Sequence, residues 1–287
     1  MRYAISLLVL FAAMIAGCSG MAAKRPAVVV TARYPGASAQ VIADTVAAPI
    51  EQQINGVEWM LRLESESRND GTYTACVRFK PSADPKIVLT LVKNRLALAK
   101  LMLPAAVQHA GVIVEPKATE KPGNRVTIAL LDRGQVGWDA LHRFSEAVLN
   151  RLSAEGAIVS PETFPGPEEK QPHVQIDRAR CREYNVPVSE VIRIVDAHRG
   201  MNTDQLKSLN VGSANGETVV LGKLVTIELA SGLTAVYRVD MYPAVRISGS
   251  PPQGKTAESA ASRCAQIADA VRNTQDYPGG FTVMGGF

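Results

Sequence analysis

The feature that most constrains the fold is the order of strand-like and helix-like patterns in the first half of the chain. Ala27–Arg33 is a β-branched run typical of a strand. Ser38 is placed to cap a helix that Asn55-Gly56 ends. Because Pro49 lacks a backbone N–H, we expect this helix to bend or to lose a hydrogen bond there. The apolar face of the helix is expected to consist of Val41, Ile42, Val46, Ile50 and Ile54.

The elements that follow complete a β-α-β-β-α-β order. Two strand patterns, Val57–Ser65 and Thr72–Phe79, are joined by a turn that contains Asn69-Asp70-Gly71, a strong hairpin signal. Asp84-Pro85 then provides an N-cap and a proline at the first helical position. The helix that begins there leads to a last strand, Val112–Glu115. This order predicts a ferredoxin-like unit, in which two helices pack on one face of a four-stranded antiparallel sheet.

The second half of the chain repeats the plan with an interruption. The repeated strands and helices are Arg125–Leu131, Trp138–Leu152, Ala157–Phe164, Tyr242–Ser248, Thr256–Arg272 and Phe281–Met284. The interruption begins with a proline-rich crossing and contains short elements at His173–Asp177, Arg178–Tyr184, Ser189–His198, Val219–Leu221 and Leu224–Leu229. We therefore predict an α+β fold with two ferredoxin-like subdomains, one over 27–117 and one over 123–165 and 240–287, and an insertion over 166–239.

The N-terminus has the pattern of an export signal. Arg2 precedes an uncharged run, Tyr3–Ile15, which is too short to span a bilayer. The sequence Ile15-Ala16-Gly17-Cys18 resembles the signal of bacterial lipoproteins, in which cleavage leaves a lipid-bearing cysteine at the new N-terminus. This resemblance implies a signal peptide over 1–17 and lipid attachment at Cys18. The alternative is an ordinary secretory signal followed by a coincidental cysteine.

Localisation follows from the same segment. By resemblance to enterobacterial lipoprotein sorting, Ser19 after the cysteine favours the outer membrane. Residues 18–26 would then form a linker between the lipid and the folded part. We expect the chain to lie on the periplasmic side of a bacterial membrane and to be held there by its lipid anchor.

Composition excludes several classes of protein. The chain is 46% hydrophobic and 20% charged, and it has no apolar stretch of 18 or more residues, so a collagen or a multi-span membrane protein is excluded. Lys and Arg number 31 against 27 Asp and Glu, which gives a net charge of +4. These charges are spread along the chain without a basic block, so we predict no nucleic-acid partner.

The first half of the chain contains, in order, the segments Val30–Ala39, Asp44–Gln52, Ile54–Val57, Asp84-Pro85, Lys93–Ala99 and Leu103-Pro104. Together and in this order they resemble the first porter subdomain in the periplasmic region of resistance-nodulation-division (RND) efflux permeases. Val174–Asp177 and Tyr184–Val191 resemble the passage from a porter to a docking subdomain, and Tyr277–Phe281 is similar to the family's closing segment. The resemblance runs from about Ala27 to Met284 and implies porter-type subdomains with a docking-like insertion.

The resemblance implies a part of a transmembrane transporter. RND permeases also have a bundle of transmembrane helices with a proton relay, which this sequence lacks, so we expect a lipid-anchored, non-catalytic module that is not an autonomous pump. The expected partners are the membrane, small hydrophobic molecules and efflux-system proteins. The stretch Gly200–Gly216 has no room for the long arm with which permease protomers contact each other, so no oligomeric state is predicted. A structural or decoy paralogue without a transport role is the alternative.

One motif favours a different function. Gly249–Thr256 reads G-x-x-x-x-G-K-T, the pattern of a phosphate-binding loop, and it lies between a predicted strand and a predicted helix. A phosphate cradle needs consecutive backbone N–H groups, which Pro251 and Pro252 do not supply. We therefore predict that Thr256 is the N-cap of the last helix, with Glu258 in its first turn, and that the chain is not an enzyme and uses no cofactor. An exported nucleotide-binding enzyme is the alternative.

The remaining reactive side chains form no known catalytic or metal pattern. The histidines His109, His142, His173 and His198 lack metal-ligand spacing, and the cysteines Cys76, Cys181 and Cys264 match no metal or redox motif. Cys264 is expected to be a small core residue, and a Cys181–Cys264 disulfide stays open. Glu64 and Glu66 share one face of a strand, which we interpret as a solvated face.

Aromatic residues indicate no ligand pocket. Trp59, Trp138 and Phe144 are few and scattered along the chain. Phe164 falls near a phenylalanine that, by the resemblance, lines a pocket of RND permeases. We predict no catalytic residue, no metal ligand and no particular substrate-binding residue.

Overall fold

The computed structural model describes residues 25–117, 124–198, 201–274 and 280–285. The predicted signal peptide and Cys18 lie outside these ranges. Helices occur together with antiparallel sheets in the described part, which confirms the α+β class. No described helix combines the length and apolar character needed to cross a bilayer.

Thirteen strands are described. In chain order they are β1 (Ala27–Arg33), β2 (Met60–Arg68), β3 (Thr72–Phe79), β4 (Val112–Pro116), β5 (Val126–Asp132), β6 (Val159–Phe164), β7 (Glu169–Ile176), β8 (Asn210–Gly212), β9 (Thr218–Val220), β10 (Val225–Gly232), β11 (Ala235–Val239), β12 (Tyr242–Ser250) and β13 (Phe281–Gly285). Nine of them form one sheet in the order β13-β5-β12-β11-β2-β3-β1-β4, with β6 paired to β12. The other four form two small sheets, β10-β7 and β8-β9.

The described helices alternate with these strands. They are α1, made of the consecutive segments Ala39–Ile42, Ala43–Ala47 and Ala48–Ile54, then α2 (Pro85–Ala99), α3 (Ala105–Ala110), α4 (Trp138–Ala154), α5 (Arg178–Glu183), α6 (Val188–Ala197), α7 (Thr203–Lys207) and α8 (Ala257–Arg272). Short 3-10 turns lie at Lys100–Met102 and Leu221–Lys223.

The first unit has β4-β1-β3-β2 as its strand order, with every neighbouring pair antiparallel. Alternate strand residues such as Val30 and Val77 are buried against apolar residues of α1 and α2, including Ile50 and Val92. The predicted start of β2 is wrong by three residues. Trp59 has a φ of +61°, so the chain turns before the strand begins at Met60.

Helix α1 is irregular where its sequence predicts. The Oγ of Ser38 accepts a hydrogen bond from the N–H of Val41, as expected of an N-cap. Ala43–Ala47 is wound as a π-helix that ends two residues before Pro49, whose missing N–H weakens the regular ladder. Val41 was expected on the buried face, but it is 43% exposed. The prediction for Val41 is therefore wrong, because the residue faces an open cleft described below.

The second unit repeats the strand order as β13-β5-β12-β6. Helices α4 and α8 cover one face of it, and Phe144 of α4 stacks on Phe281 of β13 with ring centroids 4.8 Å apart. The insertion between the two halves has a small core of its own, in which Val191 and Leu224 are fully buried. The sequence did not indicate α3, α7, β8 or β11.

Strand β11 joins the two units into one sheet. Its residues Ala235–Val239 pair antiparallel with Arg68–Glu64 of β2, and Arg238 and Val239 also pair with the start of β12. A two-residue turn connects β11 to β12, and both of its residues, Asp240 and Met241, have positive φ angles of +49° and +72°. Positive φ angles at both central residues match the strongly twisted hairpin turns that fit a sheet's right-handed twist.

Candidate functional site

A cleft of about 1060 Å³ lies between the insertion and the loop edge of the first unit. One wall consists of the β1–α1 loop and the first turn of α1, and the other consists mainly of α6 and β7. The walls come close at Gly36, since a Cβ placed there would lie 3.3 Å from Cγ2 of Ile192. The volume matches the upper end of small-molecule pockets, which span roughly 300–1,000 Å³.

Asn69, in the β2–β3 turn, contacts both α1 and the segment after β10. Its Oδ1 accepts a hydrogen bond of 2.6 Å from the N–H of Ala39, at the start of α1. Its Nδ2 donates to the carbonyl of Leu233 at 2.9 Å, and its backbone N–H donates to the carbonyl of Thr234 at 3.1 Å. One residue therefore fixes the first turn of α1 relative to the segment that leaves the insertion.

The aromatic part of the cleft is Trp138, the first residue of α4. Asp132, at the end of β5, holds this helix start because its carboxylate accepts hydrogen bonds from the N–H groups of Val136 and Gly137 at 3.0 and 2.9 Å. The indole stacks on the ring of His142 with centroids 6.0 Å apart. The buried Asp132 carboxylate thus fixes the backbone just before Trp138, and the stack with His142 orients the indole ring.

The rest of the cleft combines apolar side chains with carboxylates. Its apolar lining includes Val41, Val174, Ile176, Ile192, Val195 and Leu233. Its acidic lining residues are Asp70, Glu168 and Asp196, and among the described residues that line it there is no lysine or arginine. The cleft therefore offers an apolar surface beside negative charge.

A buried polar cluster lies under α1, at the π-helical segment. Glu51 is 1% exposed, and its Oε1 accepts a hydrogen bond of 2.6 Å from Ser65 Oγ. Nη1 of Arg238 lies 3.7 Å from Glu51 Oε2 and donates to the carbonyl of Ala43 at 3.1 Å. Burial raises the pKa of the Glu51 carboxyl above its ordinary value, and the Arg238 charge and the Ser65 hydroxyl offset part of that rise. Burial likewise raises the pKa of the fully buried Tyr73 phenol, and the nearby Glu51 charge adds to it.

Phe164 lies on the sheet face opposite the helices. Its ring meets Tyr237 edge to face at 6.0 Å, and the guanidinium groups of Arg68 and Arg246 lie over it at 4.9 and 5.0 Å. The two arginines cover this phenylalanine, so the residue that the resemblance placed near a pocket is part of a cation–π stack.

The two glutamates predicted to share a strand face do so. Glu64 accepts a hydrogen bond from Arg78 at 3.2 Å, and Glu66 forms ion pairs with Arg68 at 2.7 Å and with Arg246 at 3.3 Å. They differ from a simple solvated face because each is neutralised by arginine. The geometry is that of a surface ion-pair network.

The phosphate-loop-like motif has the predicted surroundings but a different role. Gly249 lies near the end of β12 in close contact with β6, since a Cβ there would lie 2.7 Å from the carbonyl oxygen of Val159. The N–H of Lys255 donates to the carbonyl of Pro252 at 3.0 Å, so it points into the loop's own backbone. Thr256 Oγ1 accepts a hydrogen bond of 3.2 Å from the N–H of Ser259, which confirms the predicted N-cap.

None of the three cysteines within the described ranges forms a disulfide bond. Cys264 is fully buried in the core of the second unit, as predicted, and Cys181 is buried in the core of the insertion. The Cys181–Cys264 disulfide that the sequence left open is therefore not formed. Cys76 is half-buried in β3.

Each histidine has its own local surroundings. The Nδ1 atoms of His109 and His198 lie 2.7 and 2.9 Å from carbonyl oxygens of the preceding helical turn, and Nε2 of His142 lies 3.4 Å from Glu146. His173 and His198 line the cleft. Among the described residues, no three His, Cys, Asp or Glu side chains are grouped to hold a metal ion.

The cleft was not predicted from the sequence. Its residues come from the β1–α1 loop, the β2–β3 turn, the start of α4 and the insertion, which are far apart in the chain. The available signal was local: Tyr34-Pro35-Gly36 predicts a turn, and Val41 is an apolar residue next to the buried position Ile42. Neither pattern shows what the turn would face.

Comparison with known proteins agrees with the resemblance. The sequence model of the AcrB/AcrD/AcrF family matches residues 22–200. The multidrug export protein AcrF of Escherichia coli K12 is 42% identical over 94 residues, which is 33% of this chain and 9% of AcrF. The toluene efflux pump membrane transporter TtgB of Pseudomonas putida is 42% identical over 89 residues, 31% of this chain and 8% of TtgB.

A longer match has a lower identity. The multidrug resistance protein MdtF of E. coli K12 is 29% identical over 170 residues, 58% of this chain and 16% of MdtF. The chain thus spans a small part of the length of these curated relatives. Since the family model covers more than half of the chain, the conclusion is that it belongs to the AcrB/AcrD/AcrF family of RND permeases and corresponds to their porter region.

Proposed function

We propose that this chain is a non-catalytic porter-like module that binds small apolar or amphipathic molecules in the cleft between the first unit and the insertion. The observation that carries the proposal is the cleft itself, which has the volume of a small-molecule site and an apolar lining that includes Trp138, Val41 and Ile192. Asn69 and the Asp132-bound helix start hold the two sides in place, so the site is formed in advance of binding.

The relatives support binding of this kind. AcrF is named a multidrug export protein and TtgB a toluene efflux pump membrane transporter, and both match this chain over part of its length. We assign the two units to ferredoxin-like porter subdomains because the order of the four strands across each unit's sheet is the one expected of that fold. Two helices also pack on one face of each sheet.

Binding is tested by calorimetric titration of the full-length chain with the neutral probe N-phenyl-1-naphthylamine, with protein-free detergent solution as the blank. We expect saturable binding that quenches Trp138 fluorescence in a Trp59→Phe background. Val41→Asp places a charge on the apolar wall and should weaken binding, whereas Leu61→Asp, an exposed position on β2 outside the cleft, should not. Failure of the probe to saturate, or equal weakening by both variants, contradicts the proposal.

We further propose that the module is anchored to the periplasmic side of a bacterial membrane by lipid at Cys18, with the outer membrane favoured by Ser19. The support is the apolar run that ends in Ile15-Ala16-Gly17-Cys18. Durable attachment requires two or more acyl chains, which a diacylglyceryl cysteine provides. Mass spectrometry of the N-terminal peptide should show an acylated Cys18, and Cys18→Ser should give a soluble or unprocessed product. A mature N-terminus beyond Cys18 without acylation contradicts the anchor.

Efflux-system proteins are the proposed protein partners. The support is the family relationship to efflux transporters. Purification from detergent-solubilised membranes should recover a permease or a membrane-fusion protein with the wild-type chain. Recovery of the chain without either would favour the structural or decoy paralogue.

A further inference from the structure

We infer that the cleft between the first unit and the insertion selects amphiphilic organic cations over neutral or anionic molecules of the same shape. The inference deepens the proposed function and rests on the cleft being a small-molecule site. The inference specifies the charge of the ligand and names the two residues that recognise this charge, Asp70 and Glu168.

The two carboxylates lie at the same end of the cleft. Asp70 follows Asn69 in the β2–β3 turn, and Asn69 is hydrogen-bonded to Leu233 and Thr234. Gly232, directly before them, is paired with the residue that follows Glu168 in the β7–β10 sheet. Both carboxylates therefore border the same short segment that leaves the insertion.

Within the described residues, neither Asp70 nor Glu168 forms an ion pair, and those that line the cleft include no lysine or arginine. Asp70 Oδ1 accepts a hydrogen bond of 2.9 Å from the N–H of Thr72, a neutral donor that orients the carboxylate without neutralising it. Asp196 also lines the cleft, but it has an interaction of its own, so we assign charge recognition to the other two.

The apolar lining decides which kind of cation fits. A metal ion requires several close oxygen or nitrogen ligands, and no such group of three is present among the described residues. A small hydrated ammonium ion would leave the aliphatic side chains of Val41, Ile192 and Val195 in contact with water. A quaternary ammonium on an aromatic or alkyl body satisfies both parts, because it is weakly hydrated and is attracted to carboxylates and to aromatic faces such as that of Trp138.

The test uses three naphthalenes of matched shape and different charge: trimethyl(2-naphthyl)ammonium, its uncharged isostere 2-tert-butylnaphthalene, and 2-naphthalenesulfonate. Each is titrated calorimetrically into the full-length chain, with protein-free detergent as the blank. We expect the cation to bind about tenfold more tightly than the isostere, the size expected from two exposed charges, and the anion to bind least tightly.

Two charge-matched double variants locate the effect. Asp70→Asn with Glu168→Gln keeps the side-chain shapes and the acceptor for Thr72, and it should reduce the cation's advantage to less than about twofold while affinity for the isostere stays unchanged. Glu58→Gln with Glu115→Gln changes the net charge equally at exposed positions outside the cleft and should leave the preference intact.

The outcomes separate the two proposals. Equal binding of cation and isostere overturns the charge preference and leaves the small-molecule site standing. Equal loss of preference in both double variants shows an effect of overall charge and also overturns it. If none of the three compounds binds, the proposed function fails together with the inference.

Discussion

Glu51 shows how one side chain links distant parts of the chain. It lies on α1, receives a hydrogen bond from Ser65 on β2, and pairs with Arg238 on β11. Burial of a charge is expensive unless it is paired, and here the pair is long at 3.7 Å. The carboxyl therefore holds its proton more tightly in the folded chain than in the unfolded one, and folding is coupled to pH at this residue.

The coupling predicts a pH dependence with a defined sign. The folded-state pKa of Glu51 is raised above 4.5. The stabilisation that the protonated carboxyl contributes to the folded state is therefore fully present at low pH, and it is lost as the pH rises through the raised pKa. We expect the free energy of unfolding of the wild type to fall relative to Glu51→Gln over the pH range above about 4.5. Urea denaturation of both chains across that range measures the difference. A constant difference, or one that grows in favour of the wild type, contradicts the prediction.

Thr256 and Lys255 are adjacent residues with different expected importance. Thr256→Ala removes the acceptor for the N–H of Ser259 and should lower the free energy of unfolding by about 1 kcal/mol. Lys255 is exposed at the same helix start, so Lys255→Ala should change stability by less than about 0.5 kcal/mol. Chemical denaturation of the two variants gives both values.

The same pair of residues tests the nucleotide-binding alternative. Since the loop's N–H groups are absent at Pro251 and Pro252 and turned inward at Lys255, we expect no saturable binding of ATP or GTP with Mg²⁺. Micromolar binding that disappears in Lys255→Ala would establish the enzyme instead.

At the scale of elements, the turn between β2 and β3 does more than reverse the chain. Asn69 in that turn contacts both α1 and the segment after β10. We expect Asn69→Ala to lower the free energy of unfolding by about 1–3 kcal/mol, because the N–H of Ala39 and the carbonyl of Leu233 lose their partner in a partly buried place. It should also weaken binding of N-phenyl-1-naphthylamine in the cleft.

A matched control is available at the end of α8. Asn273→Ala changes the same residue type at an exposed helix end and should have a smaller effect on stability and none on probe binding. Comparable losses in the two variants would show that Asn69 does not organise the cleft.

Elements defined by local patterns were the ones that sequence could predict. The bounds of β1 and β3 agree with the β-branched runs, and the caps at Ser38, Asp84 and Thr256 agree with their side-chain chemistry. Strand β11 was missed because it is five residues long and its turn contains no glycine. The cleft and the Glu51–Arg238 pair were missed for a different reason, since each joins residues that only the folded chain brings together.

At the scale of the whole molecule, the first unit has a complete core of its own, and one edge of its sheet, β2, is covered by a strand from outside the unit. Residues 27–116 include the strands, helices and buried cluster of that unit, while β2 is covered on its outer side by β11. We expect the isolated fragment 27–116 to fold, with a circular dichroism spectrum typical of mixed helix and sheet. The uncovered edge of β2 should make it prone to self-association at high concentration, which sedimentation velocity would detect. A spectrum of a disordered chain contradicts the prediction.

The position of β11 also gives the molecule a directional response to force. Hydrogen bonds between antiparallel strands run across the strand axis, so a pull along β2 and β11 in opposite senses loads all of their bonds together. A pull at right angles opens the same bonds one after another from an end. The two units should therefore resist sliding past each other far better than peeling apart. The β2–β11 strand pair that joins them is strong in shear and weak in tension.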